Sequence, residues 1–357
     1  MGLPKIDIEF FQKAATAIKR SGQGVVAIVI KDDTTTTFNI KEYGDISDFE
    51  TGDFTTENDE IIKTAFLLPI TKLIVCRISD TDEITVAMDA LKNKVFDWTC
   101  VVSDVQQDQD DYASWIQSRN QTATKKAKLL GYKLTTSDDM HIVNFTNDSV
   151  RKKNAEVDTP GHEYLVRLVS VLAYLAIDQS STYYVLQDLE SVTEVADPDT
   201  AIDEGEFILI NDEEKVRIGR GVNSLTTLSE DKTEDMKSIL IVEAMDVIYY
   251  DIYQTYKNDY LGKYKNSYDN QVLFLSAVNG YFKELAKENV LDENYKNISF
   301  VDVESQRDAW VAAGKTEANE WDEQEVKNNS FKNKLFLAAN TKILNAMEDL
   351  SFNINMA

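Results

Sequence analysis

The chain has 357 residues, of which 43% are hydrophobic, and it carries a formal net charge of −25. This length allows two domains with separate cores, and the apolar fraction excludes wholesale disorder. Because so acidic a chain repels phosphate groups, neither nucleic acid nor a membrane is expected as a direct partner.

Cysteine usage and hydropathy narrow the class further. Cys76 and Cys100 each lie in a β-prone run and lack CxxC spacing, so we expect two buried, reduced thiols. The N-terminal residues lack a basic segment followed by an apolar core, so no signal peptide is expected and synthesis should be cytoplasmic. The most apolar window, residues 164–177, is too short to span a bilayer and contains Arg167.

The first predicted element is a strand with one apolar face, formed by Ile6, Ile8 and Phe10. The segment SGQG at residues 21–24 separates this strand from the rest of the chain. We therefore predict an N-terminal arm and linker over residues 1–22.

Residues 23–195 alternate apolar strands with helical patterns. Strands are expected at 25–30, 34–40, 72–78, 98–102, 126–130 and 141–145, and helices at 57–68, 81–92, 108–120 and 163–177. Such alternation predicts an α/β domain built on a largely parallel sheet.

The polar segment 191–202 is the predicted domain boundary, so the second domain should cover residues 196–344. It begins with a predicted hairpin whose β-prone residues are Phe207, Ile208, Leu209, Ile210, Val216 and Ile218. A long helix is expected at 233–260, and its wide apolar surface predicts neighbours on more than one side. Further elements are expected as helices at 270–288 and 305–327 and strands at 298–303 and 334–338.

The C-terminal residues 345–357 form a second predicted arm, with Phe352, Ile354 and Met356 on one face. A terminal strand needs a partner, because otherwise it frays. The pattern leaves two arrangements open. Each arm could edge the sheet of its own subunit, or it could add to the sheet of a neighbour and link subunits.

Candidate catalytic residues are absent from the sequence patterns. His141 and His162 lack partners at ligand spacing, and Gly219-Arg220-Gly221 lacks the spacing of a phosphate-binding loop. We expect no catalytic site, no metal and no cofactor, and we expect the protein not to be an enzyme.

Five segments match a known family in the same order along the chain. They are residues 180–183 (SSTY), 217–227 (RIGRGVNSLTT), 241–246 (IVEAMD), 260–270 (YLGKYKNSYDN) and 345–349 (NAMED). The chain thereby resembles the contractile tail sheath proteins of phages and phage-tail-like particles. It is most similar to the short sheaths of Gram-positive myophages and of diffocin-like R-type bacteriocins. Residues 25–97 match only in pattern.

The resemblance implies a mixed α/β fold. An outer α/β domain (23–195) would be followed by an inner C-terminal α+β sheath domain (196–344), with extended N- and C-terminal β-strand arms. It also implies self-assembly as hexameric rings in a helical sheath around a tail tube protein, with baseplate and tail terminator proteins as further partners. Contraction would drive the tube through a target envelope without nucleotide hydrolysis. The released particle would be a phage or a bacteriocin.

Two sets of site residues follow as expectations. The hairpin residues are candidates for the sheet that accepts foreign strands, and Lys257, Lys263 and Lys265 are candidates for a face towards the tube. Ordinary solvated lysines are the alternative for the second set. For the whole protein, the alternatives are a non-contractile lattice or binding protein and a small-molecule enzyme with an α/β domain.

Overall fold

The computed structural model describes residues 17–356, in which strands and helices alternate through the first half of the chain. The strands are β1 (Val25–Lys31), β2 (Ile40–Tyr43), β3 (Lys72–Ile78), β4 (Trp98–Val102), β5 (Lys128–Tyr132), β6 (Ile142–Phe145), β7 (Ser149–Lys152), β8 (Thr159–Pro160), β9 (Leu189–Val192), β10 (Glu206–Phe207), β11 (Leu209–Asp212), β12 (Lys215–Ile218), β13 (Ile298–Val301) and β14 (Leu337–Asn340). The α-helices are α1 (Thr56–Lys63), α2 (Thr85–Leu91), α3 (Gln106–Thr122), α4 (Gly161–Leu175), α5 (Pro198–Asp203), α6 (Ile239–Thr255), α7 (Tyr268–Lys287), α8 (Val303–Ala312) and α9 (Glu323–Asn328).

Seven strands form the largest sheet, in the order β10-β6-β5-β4-β1-β3-β2. All neighbouring pairs are parallel except β2 with β3, which is antiparallel at one edge. The central strands β1 and β3 are continuous apolar runs because both of their faces are buried. One face packs against α1 and α4 and the other against α2 and α3. The predicted mixed α/β fold with a largely parallel sheet is confirmed.

Three predicted elements differ from the structure. The β-branched run at 34–40 is mostly loop, because the Asp32 carboxylate accepts hydrogen bonds from the amides of Thr34 and Thr55 and fixes a turn. The helix expected at 305–327 is split into α8, a 3-10 turn and α9, and Gly314 at φ +93° follows the end of α8. The long helix begins at Ile239 and ends in a π-helical turn, Tyr256–Tyr260.

The chain divides into two compact units, and the division falls inside α6. Residues 21–250 and 345–357 form the first, which we call the sheet unit. Residues 251–344, with the described residues 17–20, belong to the second, which we call the C-terminal unit. The predicted boundary near residue 195 does not coincide with this division. The reason is that β10 pairs with β6, and Phe207 and Leu209 belong to the same hydrophobic core as α4.

The C-terminal unit combines α7 with the two-stranded antiparallel sheet β13–β14. Helix α7 buries Phe274, Val278 and Phe282 along one side, at the four-residue spacing of a helix face. In the sheet unit, Cys76 and Cys100 are buried and unbridged, as expected. Among residues 17–356, no helix combines the length and apolarity needed to cross a membrane.

Candidate assembly surfaces

The C-terminal arm leaves its apolar side chains uncovered. Residues 345–356 form no strand, and the exposed fractions are 75% for Phe352, 75% for Ile354 and 92% for Met356. Leu350 has the same parity in the sequence and is 88% exposed. A row of exposed apolar side chains at alternate positions is typical of a surface that a binding partner covers.

The predicted N-terminal strand residues Ile6, Ile8 and Phe10 lie outside the described residues, and their role as an intersubunit arm stays a prediction. The described part of the chain begins at residue 17, just before the SGQG segment.

The hairpin expected to accept foreign strands has its edges occupied within the subunit. The amide of Tyr183 donates to the carbonyl of Ile218, and the amide of Leu186 donates to that of Val216, so β12 has a partner. On β11, the side chain of Asn147 bonds both the amide and the carbonyl of Leu209.

The six predicted acceptor residues also serve the interior of the subunit. Ile210 is half-buried. The other five are fully buried: Phe207, Ile208, Leu209, Val216 and Ile218. Because these edges are occupied within the subunit, the role of the hairpin in accepting foreign strands stays a prediction. The β-prone pattern located the strands, but their edges are covered by segments distant in sequence.

The sheet β13–β14 has an open edge instead. The amide of Asp302 donates to the carbonyl of Phe336 at 2.9 Å, so alternate residues of β14 bond towards β13. The backbone groups of Leu337 and Ala339 therefore point away from β13, and within residues 17–356 they have no hydrogen-bond partner. On the other side of the sheet, Asn279 Oδ1 accepts a 2.7 Å hydrogen bond from the amide of Ser299 and covers β13. One open edge is what β-augmentation requires.

Lys257, Lys263 and Lys265 are all exposed on the segment that follows α6. Lys257 lies on the π-helical turn, and Lys263 Nζ donates to the carbonyl of Asn258. Gly262, at φ +74°, allows the sharp turn between them. The three predicted lysines are thus exposed on one short segment, and Lys263 and Lys265 line the same cavity, while their orientation towards a tube stays a prediction.

Two further lysines join this surface, and sequence reasoning missed them. Asn266 Nδ2 donates to the carbonyls of Lys332 and Lys334, which places residues 331–334 beside the loop at 261–266. A cavity of about 500 Å³ opens between these segments and is lined by Tyr260 and Phe274. We call the five lysines the basic patch. In a chain of net charge −25, such a local concentration of positive charge suits an acidic partner.

A buried ionic cluster lies at the amino ends of β4, β5 and β6. Lys128 Nζ is 3.1 Å from Glu243 Oε2 and 3.1 Å from Asp246 Oδ2, and both carboxylates come from α6. Trp98 Nε1 donates to Glu243 Oε1 at 2.6 Å, and His141 Nε2 lies 3.1 Å from Asp246 Oδ1. Sequence reasoning missed this cluster, although it had singled out residues 241–246 as a motif.

The ionisation of this cluster follows from its pairing. Burial alone would lower the pKa of Lys128 and of His141, but the carboxylates around them outweigh burial. The pKa of Lys128 is raised, and hydrogen bonds to Asp139 and Asp246 raise that of His141 to about 9. Burial raises the pKa of Glu243, whereas Lys128 and His141 hold that of Asp246 below its usual value despite burial.

The cluster contains residue types found in active sites, but its position is that of a structural anchor. Ligands of parallel α/β sheets bind at the carboxyl ends of the strands, and this cluster lies at the opposite ends. Lys128 and Glu243 are 3% and 1% exposed, which closes the cluster to a substrate. Residues 17–356 also contain no group of three or more His, Cys, Asp or Glu side chains arranged to hold a metal. The cluster therefore fastens the first half of α6 to the sheet.

The raised pKa of His141 predicts a loss of stability in mild alkali. Because its pKa in the folded state, about 9, exceeds its ordinary value of 6.5, the stabilisation is complete below pH 6.5 and is lost as pH rises through 9. We expect the free energy of unfolding to fall by about 3 kcal/mol over this interval, measured by urea unfolding. His141→Gln should abolish most of this dependence, whereas His162→Gln should retain it. An equal slope in both variants would contradict the assignment.

Comparisons with known proteins agree on one kind of molecule. The family model described as phage tail sheath C-terminal domain matches residues 231–357. The tail sheath protein of Clostridium phage phiCD119 is 30% identical over 365 residues, which cover 99% of both chains.

Two solved structures share the fold. The helical sheath of the anti-feeding prophage in its contracted state superposes with a TM-score of 0.71 at 12% identity and covers 99% of each chain. The sheath tail protein from Desulfitobacterium hafniense gives a TM-score of 0.69 at 11% identity, over 84% of this chain and 94% of that one.

Proposed function

This chain belongs to the phage tail sheath proteins and is a structural subunit of a contractile sheath, and from that premise we propose how its copies are joined. They polymerise as hexameric rings stacked helically around a tail tube, with terminal strands exchanged between neighbouring subunits. The exposed apolar row of the C-terminal arm is the observation that supports exchange. The baseplate lies at one end of this polymer and the tail terminator protein at the other. The polymer assembles in the host cytoplasm and is then part of the released particle.

The C-terminal arm is the donor strand in this proposal. Seven extended residues, 350–356, reach about 23 Å at roughly 3.3 Å per residue, enough to cross to an adjoining subunit. Burying a side chain such as Phe352 or Ile354 contributes about 1.5–3 kcal/mol, and the main-chain hydrogen bonds add direction to this attraction. Such a link follows the strand when subunits shift, because it depends little on the surrounding side chains.

The outer edge of β14 is the acceptor that we infer. Its unpaired backbone groups at Leu337 and Ala339 alternate with residues that bond to β13, so an added strand would extend the sheet from two to three strands. The residues of β14 are half-buried or exposed, so a partner strand can approach without displacing the core. This edge replaces the hairpin β11–β12 in the proposed linkage.

Ala339→Pro tests the acceptor edge. Proline removes an amide that points away from β13, so the free energy of unfolding should change by less than about 1 kcal/mol. Assembly should fail, because the incoming strand loses its partner amide. Urea unfolding measures the first effect, and negative-stain microscopy over rising concentration measures the second. Ala339→Ser keeps the amide and should assemble as the unaltered chain does. Normal cylinders from Ala339→Pro would exclude this edge as the acceptor.

The basic patch is the surface that we propose to face the tube. Lys257, Lys263 and Lys265 supply three of its charges, with Lys332 and Lys334 beside them. Exposed charge pairs are individually weak and can be exchanged as a subunit slides, which suits a contact that must release during contraction. Charge would then guide sheath assembly along an acidic tube surface.

Charge reversal of the three predicted lysines tests the tube contact. The triple variant Lys257→Glu, Lys263→Glu and Lys265→Glu should yield sheaths without tubes, because like charges oppose the tube while the strand linkages remain. Electron microscopy of particles made together with the tube protein would count filled and empty sheaths. Lys63→Glu and Lys92→Glu, on the sheet unit, form the control. Filled sheaths from the triple variant at the control frequency would remove these lysines from the tube contact.

A further inference from the structure

The root of the C-terminal arm is held in a built site on the sheet unit, although the rest of the arm is exposed. Glu348 Oε1 accepts hydrogen bonds from Thr182 Oγ1 at 2.6 Å and from Ser180 Oγ at 3.1 Å. Arg220 Nε lies 3.3 Å from Glu348 Oε2. The Glu348 side chain is only 18% exposed, whereas Met347 beside it is fully exposed. The carboxylate is therefore bound rather than solvated.

The site, which we call the Glu348 socket, is formed by Ser180, Thr182, Arg220 and Gly221. Thr182 Oγ1 accepts a hydrogen bond from the amide of Gly221 at 2.8 Å. The single hydroxyl proton of Thr182 is therefore free to be donated to Glu348. Gly221 favours this approach, because a Cβ at this position would lie 2.6 Å from Ser181 Oγ and the Ser181 side chain would have to shift. Since residues 183–186 pair with β12, the backbone on both sides of the socket is already fixed.

A second acid and a third contact extend the docked root over residues 345–349. Arg220 Nη2 donates to Asp349 Oδ1 at 2.6 Å, and this hydrogen bond raises the pKa of the guanidinium. Ser238 Oγ donates to Asn345 Oδ1 at 3.1 Å. Arg220 thus contacts two successive carboxylates, and two hydroxyl donors also bind the less exposed one, that of Glu348. Charge-assisted bonds of this kind fix position as well as affinity.

We propose that the Glu348 socket is the binding site that positions the C-terminal arm for capture by a second copy of the chain. This inference rests on the proposed strand exchange. A strand that shifts its pairing by one residue turns its apolar row to the opposite face. The socket prevents such a shift, because docking Glu348 sets the distance from the sheet unit to Leu350 and Phe352. It also restricts the directions that the arm explores before capture, which raises its effective concentration at the acceptor.

The test compares Glu348→Ala with the unaltered chain in two independent measurements. A spin label at Asn355→Cys reports arm mobility in the unassembled subunit, and Cys76 and Cys100, both fully buried, escape labelling. Hydrogen exchange at the Gly221 amide reports occupancy of the socket. Microscopy at rising concentration gives the midpoint of cylinder assembly. Glu230→Gln, which removes one negative charge at an exposed site elsewhere on the sheet unit, is the control for net charge.

We expect Glu348→Ala to increase label mobility, to accelerate exchange at Gly221 and to raise the assembly midpoint about tenfold, the effect of losing one charged hydrogen-bond set. Glu230→Gln should change none of the three. Unchanged mobility and exchange would overturn the socket as the site that holds the arm. Increased mobility with an unchanged midpoint would overturn its positioning role. If the unaltered chain forms no cylinders, the proposed strand exchange between subunits is wrong. Label mobility and hydrogen exchange at Gly221 then still decide whether Glu348 is bound in the socket.

Discussion

A chain shortened to residues 1–349 will fold normally and will not form cylinders. Residues 350–356 bury little in their own subunit, so their removal should leave the free energy of unfolding within about 0.5 kcal/mol of the full chain. Assembly should disappear, because each subunit loses the apolar row that a neighbour covers in the proposed linkage. Urea unfolding and negative-stain microscopy at matched concentrations provide the two readouts.

Substitutions on the two faces of the arm sharpen this test without shortening the chain. Phe352→Ser with Ile354→Ser removes apolar area from one face, and Asn353→Ser with Asn355→Ser changes the opposite face by the same number of residues. The first pair should prevent assembly, and the second should leave it intact. Equal behaviour of the two pairs would contradict a one-faced strand, and cylinders from the shortened chain would exclude this arm as the link.

Lys128→Ala will destabilise the subunit by about 3–5 kcal/mol, the cost of leaving buried carboxylates without their cation. The Lys128 side chain is 3% exposed and lies 3.1 Å from both Glu243 and Asp246, so water cannot replace it without opening the cluster. Urea or thermal unfolding at neutral pH measures the loss.

Two further variants separate the missing charge from the missing side-chain volume. Lys92→Ala removes a lysine that is 60% exposed and should change stability by less than about 0.5 kcal/mol. Adding Glu243→Gln to Lys128→Ala should recover part of the loss, because one uncompensated charge is then removed. Purely additive losses in the double variant would assign the destabilisation to packing.

The strands with two buried faces were predictable from the sequence, because burial on both faces gives a continuous apolar run. β3 and β4 occupy the predicted ranges 72–78 and 98–102. The strand predicted at 34–40 was wrong because β-branched residues favour a strand only where a neighbouring strand is available. The side chain of Asp32 fixes a turn there instead.

The assembly surfaces were predictable only in part, because an edge is a property of three-dimensional neighbours. The alternation in the C-terminal arm is visible in the sequence, but the occupied edge of β12 depends on residues 183–186. The open edge of β14 carries the weak pattern LAAN, in which nothing distinguishes a free edge from a covered one. Lys332 and Lys334 were missed because an amide contact from Asn266, not sequence proximity, brings them to the basic patch.

The open edge of β14 has a consequence for when polymerisation begins. In the proposed linkage, a subunit with the open edge of β14 and the exposed apolar row of the arm can add further copies, and the charge of −25 opposes the first encounters between them. At physiological salt this repulsion is screened beyond a Debye length of about 8 Å, so it acts mainly when copies come close together. Under the proposed linkage, growth is expected to start on a preformed template, where this barrier is already overcome.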